Sequence, residues 1–144
     1  MSGEGSVTNL YLEVQHLKRT EADVSLSSVQ HLSLQPFYSK PSLIDKSIFW
    51  KSLLKLSLTS QKISLLSQIQ CTAPALEEIY LKGKLSSEEG LPLKEAIIVG
   101  TEHLRLIDLG ELTSEVAFVG IKEPRDLVVI GEGEQRVVTK LAKR

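Results

Sequence analysis

Three histidines, one cysteine and scattered carboxylates are the side chains with which this sequence could do chemistry. His16, His31 and His103 fall in no His-Glu-x-x-His spacing, and Cys71 has no second cysteine to form a Cys-x-x-Cys pair. No acidic run has the spacing of a calcium loop. The sequence therefore offers no metal ligand set. It asks for no cofactor either, because neither Gly-x-Gly-x-x-Gly nor Gly-x-x-x-x-Gly-Lys occurs. Gly131-Glu132-Gly133-Glu134 sets two acids beside its glycines, which would repel a phosphate, and reads as a hairpin turn. The serines include no Gly-x-Ser-x-Gly elbow. Cys71 reads as a small buried hydrophobe near a helix end rather than a nucleophile. Glu102, Asp108, Glu115 and Asp126 fall at strand ends or turns. A catalytic group would have to come from His103, Arg105 and Asp108, and no catalytic residue is assigned.

These residues need a scaffold, and the bulk properties bound it. The chain has 144 residues, 42% of them hydrophobic and 24% charged, which suits a single domain over 1–144 with a core of its own. Seventeen basic residues against 18 acidic leave a net charge of −1, so nothing global draws the chain to nucleic acid or an anionic membrane. Residues 1–6 read as a flexible arm, not a targeting peptide. No run approaches the roughly 18 apolar residues of a membrane span. A lone cysteine and no secretory signal point to the cytoplasm.

Three blocks follow in the pattern. Residues 7–38 read as two strands: Leu10, Leu12 and Val14 alternate with polar neighbours, Lys18 to Asp23 turns, and Val24, Leu26, Leu32 and Leu34 follow, with Ser27-Ser28 as a bulge. Residues 42–83 read as helical. Ser42 and Asp45 resemble a capping box, and Phe49, Trp50, Leu53, Leu54 and Leu56 form a wide apolar arc. A second piece carries Ile63, Leu66 and Ile69, and a third carries Leu76, Ile79 and Tyr80 up to a stop at Gly83. Residues 96–141 read as five short strands, 96–99, 103–109, 115–121, 127–130 and 135–141. Connections so short point to an antiparallel meander, since a parallel crossover needs about a dozen residues. No internal repeat is evident. The expected fold class is α+β: two N-terminal strands, a central helical block and a C-terminal antiparallel sheet curling towards a barrel.

The functional expectation is a non-catalytic protein–protein interaction or assembly module, a subunit or accessory of a larger complex. Its partner is another protein or a second copy in a homo-oligomer, and no membrane is involved. The surface expected to serve it is Phe49, Trp50, Leu53, Leu54 and Tyr80, because aromatics among aliphatics make interaction hot spots. An alternative is a nucleic-acid-binding protein using Lys18, Arg19, Arg136, Lys140, Lys143 and Arg144 against phosphates. A helix-turn-helix over 43–82 fits that alternative poorly, since Glu77 and Glu78 would meet the phosphates. A further alternative is a small enzyme or ligand-binding barrel.

Overall fold

A computed structural model describes residues 8–13, 16–17, 26–38, 40, 42–87, 95–99, 101–111, 115–119, 127–131 and 136–139. The strands are β1 (Asn9–Glu13), β2 (His16–Leu17), β3 (His31–Gln35), β4 (Leu43–Ile44), β5 (Lys55–Thr59), β6 (Glu78–Lys82), β7 (Glu95–Val99), β8 (Leu106–Asp108), β9 (Glu115–Val119), β10 (Val128–Ile130) and β11 (Arg136–Thr139). One ten-residue helix, α1 (Ile63–Thr72), lies between β5 and β6. Among the described residues all the strand pairs are parallel.

The main sheet has the order β1-β3-β5-β6-β8-β10. After each of these strands the chain visits an opposite wall, through β2, β4, α1, β7, β9 and β11 in turn. The result is a parallel solenoid. Its turns are in register at Leu10, Leu32, Leu56, Ile79, Ile107 and Val129, in steps of 22, 24, 23, 28 and 22 residues.

One short pattern builds each inner coil. A backbone turn closes from Leu26 to Val29, from Trp50 to Leu53, from Ala73 to Leu76 and from Thr101 to Leu104, the later N–H donating to the earlier carbonyl at 3.2–3.4 Å. Three residues beyond the turn comes the first inward strand residue: Leu32, Leu56, Ile79 or Ile107. Two beyond that comes the second: Leu34, Leu58, Leu81 or Leu109. All of these side chains are buried. Strands turn alternate residues to opposite faces, so the inward positions stack coil on coil into one core. Burying a leucine fully contributes about 1.5–3 kcal/mol, and the stacking repeats that gain along the solenoid.

The opposite wall changes type midway. β2 pairs with β4, and β7, β9 and β11 make a three-stranded sheet, with α1 between the two groups. Leu65, Leu66 and Ile69 of α1 are buried in the core. Glutamine amides replace the missing ladder: Gln68 Nε2 donates to Ile44 O and Gln70 Nε2 to Val99 O, each at 2.6 Å. The buried Gln61 accepts from Ser42 N at 2.7 Å. These bonds satisfy backbone groups that burial would otherwise leave costly.

The α+β expectation with an antiparallel, barrel-like meander is thus overturned. The five C-terminal strands were placed close to where they lie, but consecutive ones belong to different walls. Each pairs with the next strand but one, so the connection is long enough for a parallel crossover. β1 and β3 do neighbour each other, in parallel and not as a hairpin. Most of the helical block is not helix: Lys55–Thr59 and Glu78–Lys82 are central strands. Only the second piece, around Ile63, Leu66 and Ile69, forms a helix. Trp50, Leu53 and Leu56 recur every three residues because a turn and a strand entry place inward residues at that spacing, which imitates one face of a helix. Asp45 caps no helix; its Oδ1 accepts from the N–H and hydroxyl of Ser47. Ser27-Ser28 is part of a turn rather than a bulge. The arm 1–6 lies outside the described residues.

Gly110 has φ +59, and a Cβ there would come within 2.3 Å of Leu81 O. We expect Gly110→Ala to destabilise the fold by about 1–3 kcal/mol, read as a lowered denaturation midpoint at unchanged m-value. Leu56→Ala, by cavity formation, should cost about 2–5 kcal/mol in the same assay.

Candidate binding face of the sheet

The outward positions of the main sheet face away from the core, and no described helix or strand is layered over them. The register stacks them in rows. One row runs Tyr11, Ser33, Ser57, Tyr80, Asp108, Ile130; the row before it runs Asn9, His31, Lys55, Glu78, Leu106, Val128. Two tyrosines therefore bracket two serines. Strands spaced about 4.8 Å apart put Tyr11 and Tyr80 on backbones roughly 14 Å from each other. The serines floor a trough of about 460 Å³, with Lys55 and His31 towards its start and Lys82 at its far side. That volume lies within the ordinary range for ligand sites.

Beyond Tyr80 the face is polar and tightly paired. Glu78 is buried, its side chain 8% exposed. Its carboxylate accepts the Tyr80 hydroxyl at 2.5 Å and a charge-assisted bond from Arg105 Nη2, with Lys55 Nζ 3.9 Å away. Arg105 Nε also reaches Glu77 Oε1 at 3.3 Å. Asp108 Oδ1 accepts from Gly110 N at 2.9 Å. The Tyr80 phenol is held above its ordinary pKa of 10.0. The bond to Glu78 is the largest cause, then burial, then the charges of Glu78 and Asp108, while Arg105 acts the other way. At the last strand the face turns apolar, with Val128 and Ile130 exposed.

The five residues expected to form a partner surface are not gathered on one surface. Trp50 and Leu53 are core residues, 1% and 0% exposed. Phe49 is 56% exposed on the turn ahead of β5. Leu54 is half-buried, and its carbonyl accepts from Glu77 and Glu78 N–H. Tyr80 alone lies on the open sheet face, where it walls the trough. Among the basic residues of the nucleic-acid alternative, Arg136 opens β11 opposite Glu115; Lys18, Arg19, Lys140, Lys143 and Arg144 lie outside the described residues.

His31 sits on the sheet face, His103 on an exposed turn and His16 in β2. Cys71 is exposed on α1, not buried. Asp108 and Arg105 are engaged as above, and His103 shares no described hydrogen bond with either. Among the described residues no group of three or more His, Cys, Asp or Glu converges as a metal site would require, and no helix is long and apolar enough to cross a membrane. Tyr11, Ser33, Ser57 and Lys82 were absent from the expected site. Their signal was available only as outward neighbours of Leu10, Leu32, Leu34, Leu56, Leu58 and Leu81 once those residues are aligned as a repeat.

The chain matches no family model, no curated protein and no solved structure.

Tyr80 should titrate later than an ordinary phenol in an ultraviolet-monitored alkaline titration, and Glu78→Gln should bring it back towards 10. Because the folded pKa is raised, the linked stability is fully present below the unfolded value near 10. It is lost as pH rises through the folded pKa. The wild type should therefore lose stability across that alkaline window more steeply than Glu78→Gln.

Proposed function

We propose that this chain is a non-catalytic protein-binding module that docks its partner on the open face of the six-stranded sheet. The observation that carries the reading is the trough between Tyr11 and Tyr80, floored by Ser33 and Ser57 on a rigid ladder. Tyrosine rings offer large contact area at low entropic cost, and small residues between them leave room for a partner's side chains. The coil pattern supports the same reading. Val29-x-x-Leu32-x-Leu34, Leu53-x-x-Leu56-x-Leu58, Leu76-x-x-Ile79-x-Leu81 and Leu104-x-x-Ile107-x-Leu109 resemble leucine-rich repeats, and stacked repeats present extended binding surfaces. A subunit or accessory role in a cytoplasmic complex fits such a surface.

Filling the trough tests this. Ser57→Trp should remove the proteins that co-purify with the wild-type chain from its own cells. Ser67→Trp, on α1 of the opposite wall, should retain them. Identical partner sets for wild type, Ser57→Trp and Ser67→Trp, with all three folded, would overturn the reading.

A further inference from the structure

Resting on that reading of the open face, we infer that the trough recognises an extended peptide segment with acidic side chains four residues apart. Among the described residues the lining carries Lys55, Lys82 and His31 and no carboxylate. Of the nearby acids whose side chains are described, Glu78 is engaged by Arg105 and Tyr80, and Asp108 by the Gly110 N–H. Anionic groups entering the trough therefore meet a cation towards each end, and the carboxylate beside Lys55, that of Glu78, is already paired with Arg105.

The geometry sets the spacing. Lys55 stands at the first position of β5, and Lys82 stands opposite Thr59 at the last. Four residues of strand separate the two positions, about 13 Å along the sheet. An extended peptide rises by the same amount per residue and turns alternate side chains to one face. Its residues i and i+4 then fall over Lys55 and Lys82, while residue i+2 falls over Ser57 and must be small. Tyr11 and Tyr80 flank the segment on either side. The Lys55 ammonium lies 3.9 Å from Glu78 Oε1, a separation that leaves it donors for a second carboxylate.

The probe is a fluorescein-labelled peptide of sequence Glu-Thr-Ala-Thr-Glu, blocked at both ends, measured by anisotropy at low salt. Controls are Gln-Thr-Ala-Thr-Gln, Glu-Thr-Trp-Thr-Glu and labelled oligouridylate. Two surface charge pairs favour the acidic probe over its glutamine form by about tenfold, an advantage that shrinks as salt is added. The double variant Lys55→Gln/Lys82→Gln, which leaves the core untouched and should melt as wild type, loses that advantage. The tryptophan probe binds more weakly than the alanine one. Equal binding of the acidic and glutamine probes, an advantage that survives in the double variant, or tighter binding of oligouridylate would each overturn the inference. A native partner lost in Ser57→Trp but kept in the double variant would sink the acidic specificity alone and leave the docking face standing. Partners kept in Ser57→Trp would remove the docking face itself.

Discussion

Successive coils are joined at one repeated point, where a single carbonyl just ahead of each strand accepts two N–H groups from the next coil. Thr8 O takes Gln30 and His31, Gln30 O takes Leu54 and Lys55, Leu54 O takes Glu77 and Glu78, and Glu77 O takes Arg105 and Leu106. This junction sets the register, and a parallel ladder slipped by one residue would turn every leucine out to solvent. It also aligns the outward side chains into rows. The tyrosine-bracketed trough is therefore a consequence of how the coils are stapled.

Given that register, the opposite wall has more freedom. Two short strands, a helix and a three-stranded sheet occupy equivalent places along it. The step between coils lengthens to 28 residues from Ile79 to Ile107 without disturbing the ladder. A wall built from unlike pieces leaves unpaired backbone where they meet, and Gln68 and Gln70 meet that need from either side of α1. The tyrosine-bracketed trough and the mixed wall thus lie on two sides of the molecule.

Part of this was legible. Strand content near residues 10, 32, 96, 115 and 128, and a helix over Ile63 to Ile69, followed from periodicity and punctuation. The central strands β5 and β6 did not, because Trp50-x-x-Leu53-x-x-Leu56 and Leu76-x-x-Ile79 present the three-residue spacing of a helix face. Local periodicity does not separate that pattern from a turn followed by an inward strand residue. The distinction lies in the recurrence some 23 residues later, a comparison between coils rather than within one. The site was less legible than the fold. Tyr80 was singled out as an apolar helix residue, and it proves to be the wall of a sheet-face trough.

The sequence by itself determined the inward leucines and the small or polar residues between them, because hydrophobic burial acts on residue type and spacing wherever the chain turns. It also determined where the strong breaks fall, at Gly83 and Gly110, whose positive φ a side chain would resist. Only the tertiary structure decided which strands became neighbours and in what direction. Parallel pairing joins residues more than twenty positions apart, and its hydrogen bonds leave no mark on local pattern. That pairing brought Tyr11, Ser33, Ser57 and Tyr80 into one row, from segments whose shared pattern lies in the inward residues and not in these outward ones.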